Sequence, residues 1–178
     1  MVGPPSGVGA NLEGAMYTVW MYGQKIGETR FEAGAAGRKR AGVFHPTEFG
    51  IAMLPGITDM FPALVDFKDM CVREGVDIQD DRPETGRDAF EAFKDTPEGR
   101  RVITAARRIA EIEVREQNGD CVAWESLAIS NLEELAALAS RRASSGPADP
   151  MQQSNGDPVR YLISLTMATP DGDEVPLN

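Results

Sequence analysis

Side chains able to do chemistry are few in this chain, and they are scattered. His45 is the single histidine. It lies in Phe44-His-Pro-Thr-Glu48, where an imidazole at a strand end and the Glu48 carboxylate three residues on can share a proton or polarise a substrate. A general base needs a second oriented partner, and no GxSxG, local Cys-His pair or HExxH accompanies it. The competing reading is a strand-end histidine bonded to nearby backbone. Glu125 is the second candidate, as the odd carboxylate on the apolar face of a hairpin described below. Desolvation raises the pKa of such a group unless an arginine meets it, whereas a one-residue bulge turns it outward.

Metal and nucleotide chemistry find little support. Cys71 and Cys121 are fifty residues apart, and neither is in a CxxC, so buried free thiols are expected rather than a disulfide. A zinc site would have to gather both, His45 and a carboxylate from distant segments, so neither a metal nor another cofactor is expected. Asp77-Ile-Gln-Asp-Asp81 opens like a calcium loop, but Arg82 stands where glycine is required and Asp88 where a bidentate glutamate is. Gly34-Ala-Ala-Gly-Arg-Lys-Arg40 offers amides and three cations to an anion, yet it lacks the GxxxxGK[ST] order and reads more simply as a hairpin connection.

Charge is more informative than catalysis. The 178 residues carry 28 acidic and 18 basic side chains, a net of −10. Glu74 to Glu98 holds nine acids and three bases, −6. Gly99 to Arg108 holds Arg100, Arg101, Arg107 and Arg108 and no acid, +4. Such a split favours an intramolecular pairing or a polarised partner surface, with these four arginines as interaction candidates. The global sign opposes phosphate backbones, so nucleic acid is not an expected partner. No apolar run reaches the roughly 18 residues of a membrane helix, which leads to the expectation of a soluble, cytoplasmic chain outside the membrane. Trp20, Tyr22 and Trp124 fall on hairpins, where an aromatic ring can anchor an interface or pack in the core.

The elements that must position these residues are legible from periodicity and turn chemistry. Residues 1–15 read as a flexible arm. Met16 to Tyr22 and Lys25 to Glu32 form a hairpin through a II′ turn at Gly23-Gln24, and Ala41 to His45 is a third strand. Leu54-Pro55-Gly56 reads as a turn. Beyond it Ile57, Met60, Phe61, Leu64, Phe67, Cys71 and Val72 mark the principal core helix, closed by Gly75. Asp77 to Gly86 reads as a loop, Asp88 to Lys94 as a short helix, and Thr96-Pro97-Glu98 as the capped start of another.

Asn118-Gly119 predicts a two-residue hairpin turn in which Gln117 faces Asp120, Val114 pairs with Ala123 and Ile112 with Glu125. Its core face is then Ile112, Val114, Cys121, Ala123, Leu127 and Ile129. Ser130 to Glu133 fits a capping box before a short amphipathic helix. Residues 143–157 read as a linker, Val159 to Ala168 as the last strand and 169–178 as an acidic tail. The sum is one α+β domain over 16–168, with a mainly antiparallel, curved or partly barrel-like sheet of about six strands and helices packed on one face. Two functions fit it. The first is a non-enzymatic module that binds a protein partner or itself as a homo-oligomer. The second is a small-molecule or enzymatic pocket between the sheet and helix 57–72, using Glu125 or His45.

Overall fold

A computed structural model describes residues 14–33, 37–76, 83–143 and 160–169. The arm through residue 13, the acid-rich stretch 77–82, the linker residues 144–159, the tail from 170 and Gly34 to Ala36 lie outside the described residues.

Strands β1 (Met16–Met21) and β2 (Gln24–Arg30) form the first hairpin. Its corner is Tyr22-Gly23, one residue earlier than the expected Gly23-Gln24. Both corner residues have positive φ, +52° and +73°, as a type I′ turn requires. The register slips by one between Val19 and Trp20: Trp20 pairs with Lys25 but Val19 with Gly27, which leaves Ile26 bulged. The chain then runs through β3 (Glu32–Ala33) and β4 (Lys39–Pro46), and β2 and β3 both lie antiparallel to β4.

The bulge creates the seat for the next element. The Ile26 carbonyl accepts a hydrogen bond from Thr47 N at 2.9 Å. Thr47 is the N-cap of α1 (Glu48–Thr58): its hydroxyl accepts from Gly50 N at 3.0 Å and donates to the Lys25 carbonyl at 2.9 Å. Helix α1 runs straight through Leu54-Pro55-Gly56, which corrects the expected turn. Pro55 sits on the exposed side, where water can reach the Ile51 carbonyl that loses its donor, while Gly50, Leu54, Ile57 and Thr58 are buried on the other side. Burial of that face outweighs the local cost of proline.

Helix α2 (Met60–Arg73) follows after Asp59 and ends as expected at Gly75, whose φ is +79°. Gly75 N bonds to the Val72 carbonyl at 3.0 Å and Val76 N to that of Cys71 at 2.9 Å, closing the helix with a left-handed cap. Taken together, Glu48–Arg73 is long and apolar enough in composition to cross a membrane. That corrects the expectation that no stretch reaches this length. In the fold it is broken at Asp59, and the face of α1 that carries Leu54 and Ile57 belongs to the sheet core. The buried residues of α2 are Ala63, Val65, Phe67, Met70 and Cys71. Phe61 and Val72, expected in the core stripe, are exposed.

Helix α3 (Pro83–Phe93) begins inside the expected loop, and α4 (Pro97–Ala110) starts where its signals put it, with Thr96 Oγ1 accepting from Gly99 N at 3.1 Å. Strands β5 (Ile112–Arg115) and β6 (Trp124–Asn131) flank Asn118-Gly119. The turn has three residues, not two. Glu116 N bonds to the Asp120 carbonyl, Gly119 takes φ +93°, and Val122 N bonds to the Val114 carbonyl at 2.8 Å. The residues next to the turn are therefore displaced by one from the expected register, so Val122 is buried while Cys121 and Ala123 are exposed; past the irregularity between Trp124 and Ser126, Leu127 and Ile129 are buried as expected.

Beyond Val122 the two strands part. Strand β5 pairs with β1, and β6 pairs with β7 (Tyr161–Met167), which also flanks β4. Helix α5 (Leu132–Arg142) links β6 onward, capped by Asn131 rather than the expected Ser130, with Asn131 Oδ1 accepting from Glu133 N at 3.0 Å.

The strand order β5-β1-β2-β4-β7-β6 is antiparallel throughout and curls into a half-barrel, the α+β architecture expected. Its terminal strands touch only at the Asn118-Gly119 corner. Val19, Met21, Ile26, Phe44, Ile129, Ile163 and Leu165 line the core together with Leu54 and Ile57 of α1. A second cluster joins Ala63, Phe67 and Cys71 of α2 to Ala89 and Val102 of α3 and α4.

At Gly50 an added Cβ would lie 1.8 Å from the Ile26 carbonyl oxygen. Gly50→Ala is expected to destabilise the protein by about 2 kcal/mol or more in guanidinium unfolding. Tyr22→Asn is expected to stabilise it by about 0.5–1 kcal/mol in the same assay, because asparagine tolerates the left-handed conformation better than tyrosine.

Candidate functional site

The residues singled out for chemistry do not converge. Glu125 occupies an irregularity where Trp124 pairs with Met167 and Ser126 with Thr166, so the carboxylate turns outward. Its side chain is 51% exposed and sits 2.6 Å from Arg38 Nη2. The buried carboxylate expected from the two-residue turn is thus corrected. His45 is exposed on the outer sheet face, opposite Glu28 in the register. It borders an open depression of about 450 Å3 that also includes Glu28, Arg30, Glu32 and Gly42. Lys25 Nζ, 2.7 Å from Glu28 Oε2, holds the Glu28 carboxyl below its ordinary range. Glu48 is exposed at the first position of α1 and has no hydrogen bond or ion pair with His45 among the described residues.

The expected pocket between the sheet and helix 57–72 also changes. The helix on the sheet is α1, and the space between them is filled by core side chains. Helix α2 is packed with α3 and α4 instead.

The aromatic candidates divide. Trp20 lies half-buried on the outer face of β1, with Nε1 donating to Thr18 Oγ1 at 2.9 Å and the Arg115 guanidinium 4.6 Å from the ring centre. Arg115 is in turn held by Glu113 at 2.5 Å, which raises its pKa. Trp124 is half-buried and packs against the main core, so it is not a free anchor. Tyr22 is 64% exposed at the hairpin corner.

Among the four arginine candidates, Arg101 is committed internally. Its Nε donates to Asp59 Oδ2 at 2.7 Å, Nη2 bonds to Asp59 Oδ1, and Nη1 bonds to Asp66. The Asp59 bond is the main cause that raises the Arg101 pKa, against an opposing effect of burial. This clamp ties α4 to the break between α1 and α2 and to α2 itself. Asp69, Arg73 and Glu98 surround it in a shallow, charged depression of about 610 Å3. Arg100, Arg107 and Arg108 are exposed and have no carboxylate partner among the described residues.

Ile51 and Phe61, 55% and 51% exposed, are the residues missed from sequence. The sequence signal for Ile51 was masked by the expected turn at Pro55. Phe61 has helical spacing that suits a core as well as a surface, so only the packing of α2 decides between them. Both cysteines are free; Cys71 is buried as expected, and Cys121 is exposed, which corrects that half of the expectation.

Compared with protein-family models, curated proteins and solved structures, the chain matches none. The fold class is that of a curled antiparallel α+β half-barrel, with an ion-paired helical layer beside it.

Arg101→Gln removes the clamp. The expected loss is on the order of 1 kcal/mol by guanidinium unfolding, kept small because the side chain is 40% exposed. A thiol reagent should titrate Cys121 at once in the native protein and Cys71 only after denaturant is added. Burial pushes the Cys71 thiol above its ordinary value of 9.0. The folded state then holds its proton more tightly than the unfolded one, so this contribution is full below pH 9.0 and fades as pH rises through the folded value. Cys71→Ala should flatten that alkaline decline in urea midpoints.

Proposed function

We propose that this chain works by binding another protein through the outer side of its helical layer, without chemistry of its own. One observation carries the reading: Ile51 and Phe61, large apolar residues on consecutive helices, remain more than half exposed. Surface aliphatic and aromatic side chains of this size gain most from being covered by a partner. The half-barrel core is completed by Leu54 and Ile57 of α1, which are buried, while Ile51 and Phe61 stay outside it.

A second reading rests on the depression beside His45. An imidazole among Glu28, Arg30 and Glu32 suits a small polar ligand held on the outer sheet face. A thermal-shift series with carboxylate and amine metabolites supports it if some ligand raises the midpoint in the parent protein but not in His45→Ala.

The binding reading is tested by placing a photocrosslinking residue at Ile51, at Phe61 and, as a control, at Ser164 on the outer face of β7. Irradiation in the host's own extract, and of the purified chain over a concentration series, should give discrete adducts at the first two positions only. Ile51→Ser with Phe61→Ser should abolish the partner adduct while changing stability by no more than about 0.5 kcal/mol. Adducts absent from both helical positions, with a strictly monomeric chain, would overturn the proposal.

A further inference from the structure

We infer that Asn118 is a covalent modification site, where an intramolecular deamidation is held back by the folded corner between β5 and β6 and released when that corner opens. The inference is independent of the protein-binding reading. It starts from local chemistry: glycine has no side chain to screen the preceding amide carbon, so the Gly119 nitrogen can reach Asn118 Cγ. Asn118, Gly119 and Asp120 are all exposed, so water has access to the reacting atoms.

The reaction needs only water. Gly119 N gives its proton to solvent hydroxide and attacks Asn118 Cγ, forming a five-membered imide ring as the Cγ–Nδ2 bond breaks and Nδ2 leaves with a proton as ammonia. Water then opens the ring on one of two sides. Cleavage between Cγ and Gly119 N leaves an aspartate in an unaltered chain, whereas cleavage between the main-chain carbonyl carbon and that nitrogen leaves an isoaspartate, with the side-chain methylene now in the backbone. One amide and one water become one carboxylate and one ammonium.

In the folded corner the nucleophile and both polar atoms of the side chain are engaged. Gly119 N donates to the Glu116 carbonyl at 2.9 Å, so it keeps its proton. Asn118 Oδ1 accepts from Asp120 N at 3.0 Å, and Nδ2 donates to Asp120 Oδ2 at 2.7 Å, which pins the amide toward residue 120. The Asp120 carboxylate also opposes the anion that forms when Gly119 N loses its proton.

This protection is local. The corner is closed by bonds from Glu116 N to the Asp120 carbonyl and from Val122 N to the Val114 carbonyl, with one bridge between them at Arg115 and Cys121. Strand β5 is otherwise paired with β1 and β6 with β7, so the corner can open without parting either ladder. Modification then hinders its closing again. A carboxylate at 118 has no N–H for Asp120 and sets like charges where the 2.7 Å bond stood. An isoaspartyl link moves Gly119 N away from the Glu116 carbonyl.

The sequence carries its own reference. Asn155-Gly156-Asp157 repeats the same three residues outside the described residues and falls in a different tryptic peptide. The full chain is incubated at neutral pH, native and in urea, and the mass gain of close to one dalton is followed in each peptide. In urea Asn118 and Asn155 should convert at similar rates, and in the native chain Asn118 should convert at least roughly tenfold more slowly than in urea. Asp120→Ala, with its fold checked by thermal midpoint, should speed native conversion of Asn118. Asn118→Asp, which imitates one product, should lower the midpoint at neutral pH. Native conversion of Asn118 as fast as in urea overturns the inference, as does a chain in urea that converts Asn155 but not Asn118. A folded Asp120→Ala chain with the parent's native rate removes the role assigned to the Asp120 contacts, and an unchanged midpoint in Asn118→Asp removes the coupling of modification to the corner.

Discussion

The Ile26 carbonyl is the hinge of the architecture. A one-residue slip between β1 and β2 removes it from the regular ladder, and it then accepts the Thr47 amide at the start of α1. Thr47 adds a bond to the Lys25 carbonyl, and Gly50 lets the first turn of the helix lie directly on the strand backbone. A bulged strand and a helix N-terminus each leave backbone groups unpaired, and here each satisfies the other. That joint sets the angle at which α1 crosses the concave face, and hence which of its sides is core and which is surface.

Everything in the helical layer follows from this placement. Because Leu54 and Ile57 face the sheet, Ala52 and Pro55 lie on the outer side and Ile51 on the exposed flank. The chain breaks at Asp59, and the Asp59 and Asp66 carboxylates converge on Arg101 of α4. Arg101 holds the layer together and is lost to any partner. Its neighbours in sequence, two turns along and one residue back, keep their charge for solvent. Core burial therefore decides which apolar side chains of α1 stay exposed, and the internal ion pair decides which arginines of α4 stay free of it.

The turn at Asn118-Gly119 shows how a strong local signal can be right about a corner and wrong about what it joins. Asn118 and Gly119 do make the turn, with Asp120 N bonded to Asn118 Oδ1 at 3.0 Å. A third loop residue shifts the register by one, which buries Val122, and the irregularity between Trp124 and Ser126 turns Glu125 outward. A two-residue type I′ turn needs positive φ at both Asn118 and Gly119, whereas the three-residue loop needs it at Gly119 alone, and an Asn-Gly pair suits either. The strands then separate, β5 pairing with β1 and β6 with β7. Pro55 failed as a turn marker for a related reason: its local cost is fixed, but the burial that offsets it comes from residues far away in sequence.

The sequence alone determined what depends on neighbours along the chain. The caps Thr96 and Gly75, the first and last strands, the α+β class with a curved antiparallel sheet, and the concentration of arginine between Gly99 and Arg108 were all legible there. These rest on φ preferences, alternation and helical spacing, which act over a few residues. Only the tertiary structure decided that Arg101 is bound while Arg100, Arg107 and Arg108 are not, that Glu125 is outside, and that Ile51 and Phe61 are uncovered. The physical reason is common to all of them. Burial and ion pairing are relations between distant segments, and a side chain's type and spacing are the same whether or not another element arrives to cover it.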